Sequence, residues 1–428
     1  MRFDNDGVLS RLGFPSVGEH RRFVTAIGVD AIGSGVFMPV TLLYFLVATP
    51  MGLVEIGAAI SIASLVSIPV GPLVGSVVDR VGSTRVLQVA NLLQGAGFVA
   101  YLFVDGFTGV LVATVAVSAG RTAFWGSFGA TVAIISPPGE RELWFGFLGA
   151  LRNVGFALGG LLAGLAITVG SPEAYAAVVV LNAVSYALAF WLMLSVPNRV
   201  PARLAPVEEP GSWLSVLRDG PYRILVLTQA SFSLSMMALN FAMPVYITTT
   251  LGLPGWVAGA LFTVNTVLVG FGQGLVVRSL TGTVRRQVLL WANVAFAASY
   301  LVLYGASAAS LAVGVVVVLG AGAVYTLGEL LGGPVLSALA AEAAPEHLRG
   351  RYLSYHQLAW TVTGAIAPVG FAWLLVQGPA ATWLGLVGLT AVGAALTVRL
   401  GARMPLARAR ITNGAVGDPL PIADEAGL

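Results

Sequence analysis

Arginine residues alternate with long apolar runs along this chain, and this pattern constrains the fold more strongly than any motif does. All 22 basic residues are arginine, and 20 of them lie in the two tails or in alternate gaps between apolar runs. Basic residues collect in this way on the cytoplasmic side of a polytopic membrane protein. The sequence therefore predicts a multi-pass protein of the inner membrane whose arginine-bearing gaps and both termini face the cytoplasm.

The overall composition is too apolar for a soluble chain of this length. Of the 428 residues, 57% are hydrophobic and 10% are charged, and the mean hydropathy is +0.88. A membrane-spanning helix needs roughly 20 apolar residues. Runs of that length are too long and too continuous for barrel strands, so we predict an all-α membrane protein with twelve transmembrane helices. The runs lie near residues 23–47, 55–78, 86–104, 108–135, 145–168, 174–196, 224–248, 255–277, 287–304, 310–338, 353–376 and 382–400.

The apolar signal divides the chain into two halves. We predict a cytoplasmic tail (1–22), a six-helix bundle (23–196), a cytoplasmic linker (197–221), a second six-helix bundle (222–400) and a disordered tail (401–428). In the linker, the spacing of Trp213, Leu214 and Leu217 fits either a short amphipathic turn on the membrane surface or a plain connecting coil.

The two halves also repeat short sequence features in the same order. The segment from Gly75 to Asp79 has a counterpart 199 residues later, and Pro39 of the first run has a counterpart in Pro244 of the seventh. Parallel repeats of this kind are common in transporters. They indicate two pseudosymmetric bundles.

Missing residue types exclude several kinds of chemistry. The chain has no cysteine, three histidines and no lysine, so it offers no thiolate metal site, no phosphate-binding P-loop and no Schiff-base cofactor. We therefore expect no metal, no cofactor and no enzyme activity. The arginines suit anionic lipid rather than nucleic acid. The first 20 residues also lack the apolar segment of a signal peptide.

Three groups of residues carry a family resemblance that covers nearly the whole chain. The loop after the second run is similar to the GxxxDRxGxxR signature of the major facilitator superfamily, and the loop after the tenth run is similar to that of its bacterial proton-coupled drug and metabolite exporters. The fifth run resembles the glycine motif of the family's antiporters, with Gly160 where proline is expected. The residues of these groups are Gly75, Asp79, Arg80, Gly82 and Arg85; Arg349, Gly350 and Arg351; and Gly155, Gly159, Gly160 and Gly164.

The resemblance implies a central cavity between the two bundles, lined by runs one, four, seven and ten. Arg121 in the fourth run resembles the family's buried arginine. For each aromatic residue on these runs, packing or lipid contact remains the alternative to lining the cavity. The lining candidates are Phe37, Tyr44, Phe124, Trp125, Phe128, Phe232, Asn240, Phe241 and Tyr325.

Asp79 is the candidate gating residue. It ends the second run, where it can face the amino terminus of the eleventh helix, whose dipole favours an anion by roughly 0.3–1 kcal/mol. This contact would exist only when the bundles close on the cytoplasmic side. The alternative is a tight turn at Gly82 flanked by ordinary arginines.

Four ionisable residues interrupt the apolar runs: Asp30, Arg121, Arg152 and Glu329. A charge near the bilayer centre costs at least roughly 2.5–3.5 kcal/mol, so it must be paired, hydrated or used. Asp30 can pair with Arg121 or Arg152. In the membrane segments of its own half, Glu329 has no possible basic partner except His356. An unpaired buried carboxyl tends to hold a proton because burial disfavours its charge. Both acids are proton-coupling candidates, with a structural role as the alternative.

Together these features predict a monomeric secondary transporter that exports an amphiphilic drug or metabolite in exchange for protons, with multidrug resistance as the biological outcome. Without a nucleotide site, uphill transport must use an ion gradient. A proton-coupled symporter for nutrient uptake and a non-transporting membrane receptor or scaffold remain the alternatives.

Overall fold

The computed structural model describes residues 14–137, 139–198, 213–306, 311–403 and 409–413. Over these ranges the chain is helical and contains no β-strand. The first half contains α1 (Arg21–Phe37), α2 (Thr41–Ala48), α3 (Leu53–Val66), α4 (Val70–Val81), α5 (Ser83–Tyr101), α6 (Phe107–Ile135), α7 (Arg141–Val169) and α8 (Pro172–Met193). The second half contains α9 (Trp213–Arg218), α10 (Gly220–Val245), α11 (Gly255–Ser279), α12 (Arg285–Ala306), α13 (Leu311–Ala343), α14 (Arg349–Val376) and α15 (Pro379–Gly401).

The helices fill twelve spanning positions. Among the described residues, eight helices are long and apolar enough to cross a membrane, and two bent pairs, α1 with α2 and α3 with α4, raise this number to ten. Helices α5 and α14, of 19 and 28 residues, occupy the other two positions. Polar residues lower their hydropathy, among them Asn91 and Gln94 in α5, which are buried inside the bundle. The predicted all-α fold of twelve helices is confirmed.

Proline explains where the spanning helices bend. Helix α1 stops before Pro39 and α2 continues at an angle of 57°, while Pro69 precedes α4, which is bent by 44° from α3. Pro244 lies in the last turn of α10, and the chain then widens into a π-helical segment, Tyr246–Thr250. Proline lacks the amide hydrogen that an α-helix requires, so the regular hydrogen bonding breaks at these points.

The same packing order is found in both halves, as the sequence repeat predicts. In the first half α1 packs on α7 and α8, and α5 packs on α6 and α8. In the second half α10 packs on α14 and α15, and α12 packs on α13 and α15. These pairs occupy equivalent positions in the two bundles. The fold is therefore pseudosymmetric.

The two halves meet along two seams. Helix α4 packs against α14 on one seam, and α7 packs against α11 and α13 on the other. The largest hydrophobic core crosses the first seam, since Val74 and Val78 of α4 belong to the same buried cluster as Leu353 of α14.

The chain between and after the bundles contains two short structured segments. The linker contains the short helix α9, with Val216 buried and Leu214 and Leu217 exposed, and residues 199–212 lie outside the described residues. The prediction of a disordered tail is wrong for residues 409–413. Ile411 is buried, and it pairs through backbone hydrogen bonds with Gly282 and Thr283 of the loop between α11 and α12. Residues 404–408 and 414–428 lie outside the described residues.

Candidate functional site

Asp79 closes the seam between α4 and α14. Its Oδ1 accepts a hydrogen bond from the Gly350 amide at 2.6 Å, and its Oδ2 accepts one from the Arg351 amide at 3.3 Å. The Arg351 side chain adds an ion pair at 3.6 Å. The carboxylate thus lies at the first turn of α14, where unpaired amides and the helix dipole favour an anion. We name this set the Asp79 clasp.

Two glycines make the Asp79 clasp possible. A Cβ on Gly75 would lie 2.9 Å from the Cα of Arg351, and a Cβ on Gly350 would lie 2.6 Å from Asp79 Oδ1. Both distances are too short, so the two helix backbones approach only because neither residue has a side chain. This contact explains the pattern in which Gly75 precedes Asp79 and Gly350 follows Arg349.

The other residues of the motif are Arg80 at the end of α4, Gly82 between the helices and Arg85 in α5. Gly82 has a φ of +90°, which favours glycine, and Arg80 and Arg85 are exposed. Asn198 holds this loop, since its side chain donates to the Val81 carbonyl at 2.8 Å and accepts from the Arg85 amide at 3.3 Å. This role of Asn198 was not predicted, because one asparagine after an apolar run gives no signal of it.

The opposite seam is closed by a buried ion triad that the sequence analysis missed. Arg285 at the start of α12 lies between Glu142 of α7 and Glu342 of α13, with Nε 2.7 Å from Glu142 and Nη1 2.7 Å from Glu342. Glu142 comes from the first half and the other two residues from the second, so the triad joins the halves. We name it the Arg285 clasp. All three residues lie at run ends beside arginine-bearing gaps, where charges look like ordinary flanks.

Both clasps lie on one face of the molecule, which carries the described arginine-bearing gaps and is called the arginine side below. Further contacts between the two bundles lie in the parts of α7 and α11 that are nearest to this face. Gly146 of α7 faces Gln273 and Val277 of α11, and Gly270 of α11 faces Val154 of α7. The structure is therefore closed on the arginine side.

Asp30 pairs with Arg152 inside the first half. Arg152 Nη1 donates to Asp30 Oδ2 at 2.6 Å, and both side chains are less than 10% exposed. The guanidinium also lies over three rings, with its centre 5.2 Å from Phe124, 4.6 Å from Trp125 and 5.5 Å from Phe156. A buried ion pair needs such additional partners to offset the loss of hydration.

Arg121 does not have the buried position expected from the resemblance. Its side chain is exposed, whereas Asp30 uses Arg152. Helices α1 and α7 approach closely at Gly155 and Gly159, where a Cβ would collide with α1, and this brings Arg152 to Asp30. Arg121 lies near the middle of α6, and an exposed charge at that depth requires water around it. We therefore expect water around the Arg121 side chain.

The glycines of α7 divide into two faces. Gly155 and Gly159 pack on α1, while a Cβ on Gly160 or Gly164 would meet open space. Small residues at four-residue spacing allow close helix contact. Only the first pair has that role here.

Glu329 lies in the second half, hydrogen-bonded to an amide. Its Oε2 accepts from Asn265 Nδ2 at 2.8 Å, and the same nitrogen donates to Thr326 Oγ1 at 3.1 Å. Asn265 belongs to α11 and was not singled out by sequence. Among the described residues, no cation lies within ion-pair distance of Glu329. His356 is buried on α14 without a hydrogen-bond partner for Nε2 among those residues.

Most of the aromatic residues expected to line a cavity are packed inside the bundles. Phe37 and Tyr44 pack with Phe98 and Tyr101, and Tyr44 donates a hydrogen bond to the Tyr101 carbonyl at 2.7 Å. The expectation of cavity lining is wrong for these residues in this conformation, because their rings fill gaps between helices of one half. The buried ones are Phe37, Tyr44, Phe124, Phe128, Phe232 and Tyr325, whereas Trp125 and Phe241 are half-buried and Asn240 is exposed.

The sequence matches a known protein family and several known proteins. The sequence model of the Major Facilitator Superfamily matches residues 23–368. The chain is 23% identical to Multidrug resistance protein MdtH of Edwardsiella ictaluri over 352 residues, 78% of this chain and 82% of that protein. It is 29% identical to Tetracycline resistance protein, class G, of Vibrio anguillarum over 174 residues, 38% of this chain and 42% of that protein.

A solved structure of similar fold is that of a bacterial homologue of the iron transporter ferroportin in an outward-facing state. It aligns with a TM-score of 0.75 at 17% identity, over 90% of this chain and 99% of that one. At this identity the likeness concerns the fold alone.

Proposed function

The chain belongs to the major facilitator superfamily and is a transporter rather than an enzyme, and from that premise we propose that it exports an amphiphilic small molecule across the inner membrane in exchange for protons. The proposed unit is a monomer. Its bundles, residues 23–196 and 222–400, rock about a central cavity that opens to each side in turn.

The proposed proton coupling depends on the surroundings of the Glu329 carboxylate. Its carboxylate is held by the amide of Asn265 and has no ion-pair partner among the described residues. It can therefore take up a proton without leaving a buried cation unpaired. Asp30 differs, since protonation of its carboxylate would leave Arg152 without a counter-charge. We assign the transported proton to Glu329 and a positioning role to the Asp30–Arg152 pair.

The two clasps support alternating access. Each joins one half of the molecule to the other on the arginine side, and neither pairing can survive if the halves separate there. Breaking them and re-forming them would convert one state of the carrier into the other, as a two-state equilibrium requires. The gate is thus made of both seams rather than of the Asp79 loop alone.

The direction of transport is proposed from charge and relatives. Arginine-rich gaps favour the cytoplasmic side, which places both termini and both clasps there. A carrier closed on that side has its cavity open to the outside. The names of the two curated relatives, a multidrug and a tetracycline resistance protein, favour export over uptake.

Substrate-dependent proton flux in liposomes tests the proposal. Purified protein is reconstituted with a pH-sensitive dye inside, and amphiphilic cations, neutral amphiphiles and sugars are added in turn. Export coupled to protons predicts proton movement opposite to that of an amphiphile. Proton movement in the same direction as a sugar would instead indicate an uptake symporter, and no flux with any compound would favour a non-transporting role.

A further inference from the structure

The first seam, between α4 and α14, contains a groove. A cavity of about 280 Å³ lies between α4, α6, α14 and the linker helix α9. Its rim is formed by Ile68, Pro72 and Thr361, which are exposed, and by Leu217 of α9. The neighbouring outward residues of this seam, such as Leu65 and Leu73, are apolar and more than 60% exposed. The groove therefore opens towards lipid.

The inner wall of the groove is polar. Ser354 of α14 lines it, is 5% exposed, and its hydroxyl has no hydrogen-bond partner among the described residues. Thr122 of α6, next to Arg121, lies on the same wall. A buried hydroxyl without a partner costs free energy that a ligand with a donor or acceptor can recover.

The lining contains no charged side chain. A charged group in the groove would lose its hydration without gaining a counter-charge, which is costly. An occupant that fits both walls is uncharged, carries a hydroxyl or carbonyl at one end, and is apolar at the other.

From this arrangement we infer that the groove is a binding site for neutral amphiphiles that enter from the arginine-side leaflet, with the polar end at Ser354 and the apolar end at the lipid-facing rim. The inference rests on the proposed function only in taking such molecules to be transported. Helix α9 forms the floor of the site, since Trp213 Nε1 donates to Ser76 of α4 at 3.0 Å and thereby fixes Trp213 and Leu217 below the seam.

The site depends on the closed state. Its walls come from both halves, and the Asp79 clasp lies directly beside it, since Ser354 is within one helical turn of Arg351. Opening of this seam would separate α4 from α14 and dissolve the groove. An occupant should therefore favour closure of the arginine side.

Quenching of a single fluorescent label by a nitroxide-bearing long-chain alcohol tests the site. The chain has no cysteine, so Thr361→Cys and Leu217→Cys each place one label at the rim, from different helices. Val392→Cys on α15, 56% exposed, is the control for plain lipid contact. We expect quenching at both rim positions to saturate and to be reversed by the unlabelled alcohol, and quenching at Val392 to rise linearly.

A second set of measurements tests the chemistry of the occupant. Ser354→Ala should weaken the apparent affinity for the alcohol by about 2- to 10-fold, the loss of one hydrogen bond. The same chain ending in a carboxylate should bind more weakly than the alcohol. Linear quenching at both rim positions, unchanged affinity in Ser354→Ala, or saturable quenching by a nitroxide phospholipid in place of the alcohol would each overturn the inference.

The assay contains no ion gradient and measures no transport. Binding without any proton flux would therefore leave the site in place and remove the proposed function. Proton-coupled export without saturable binding would do the reverse.

Discussion

Asp79 is held more by backbone amides than by arginine. Two amides of α14 donate to its carboxylate, while the Arg351 side chain is 3.6 Å away. Hydrogen bonds to a charged group contribute about 1.5–3 kcal/mol, against about 0.5–1.5 for neutral ones. The negative charge of Asp79, at the positive end of the α14 dipole, is thus the main contribution of this residue to closure.

Asp79→Asn should open the arginine side. Asparagine can still accept one amide but lacks the charge, so we expect a loss of about 1–2 kcal/mol and a shift of the open-to-closed ratio by about 5- to 30-fold. Ser195 follows α8 in the first half and Ala402 follows α15 in the second half, and both are exposed. Spin labels at Ser195→Cys and Ala402→Cys should therefore show a longer label-to-label distance in electron paramagnetic resonance. Arg80→Gln is the matched control, since Arg80 is exposed beside Asp79, and an equal shift in that control would refute the role of the clasp.

The Asp30–Arg152 pair predicts a non-additive double variant. Removal of one partner leaves a buried charge and should cost about 3–5 kcal/mol, whereas Asp30→Asn together with Arg152→Gln should cost less than the sum. Thermal unfolding of both single variants and the double variant in detergent measures this. The corresponding cycle of Asp30→Asn with Arg121→Gln should be additive, because the ion pair of Asp30 is with Arg152 and not with Arg121. Coupling to Arg121 in place of Arg152 would contradict the structure.

At the scale of helices, the two seams are closed by different chemistry. One uses a carboxylate at a helix terminus, and the other uses a buried arginine between two carboxylates. Glu342 binds Arg285 through two hydrogen bonds within the second half, at 2.7 and 3.0 Å, and so orients it. Glu142 carries that interaction across to the first half.

Glu142→Gln should therefore open the arginine side independently of Asp79→Asn. The two clasps lie on opposite seams and share no residue, so their effects on the open-to-closed ratio should multiply. The same pair of spin labels measures the single and double variants. A double variant no more open than either single one would mean that one clasp does not contribute to closure.

The tail segment 409–413 gives a test at the element scale. The amides of Gly282 and Arg285 donate to the carbonyls of Ile411 and Ala409, both at 2.8 Å. Truncation after Arg408 removes these acceptors, and hydrogen exchange at Gly282 and Arg285 should become faster. Truncation after Asn413 keeps the segment and should preserve protection; equal exchange in the two truncated proteins would show that the segment does not pair in solution.

Helix orientation was harder to predict than helix position. The apolar runs located all twelve spans because a bilayer demands that length of each helix. Many of these helices are apolar all round, so their sequence does not reveal which face turns inward. For this reason Phe37 and Tyr44 were expected in a cavity and are instead packed within the first half. For the same reason, the sequence did not show whether Arg121 or Arg152 is the partner of Asp30.

Contacts between elements far apart in the sequence could be predicted only where a family motif marked both partners. The resemblance around Asp79 and Arg349–Arg351 pointed to one seam, and the structure brings those residues together. The Arg285 clasp, the Asn265–Glu329 bond and the pairing of Ile411 had no motif. They join residues more than 55 positions apart, and single-sequence periodicity carries no such information.

For the whole molecule, we propose a gate that closes at two seams and one carboxylate, Glu329, that exchanges a proton. In this proposal the clasps would set which side is open, and Glu329 would link the open side to the proton gradient. Asp30 and Glu329 lie in equivalent halves but differ in their partners, an arginine for one and an asparagine for the other. This asymmetry leads to different predictions for the two acids.

The most direct measurement compares Glu329→Gln with wild-type protein in liposomes, for pH-gradient-driven accumulation and for substrate exchange without a gradient. Glutamine matches the protonated carboxyl in shape and charge, so the variant should lose driven accumulation by at least about tenfold and keep exchange near the wild-type rate. Asp30→Asn is the control and should impair both, because it leaves Arg152 unpaired. Wild-type pH dependence of accumulation in Glu329→Gln would contradict the assignment and return this residue to a structural role.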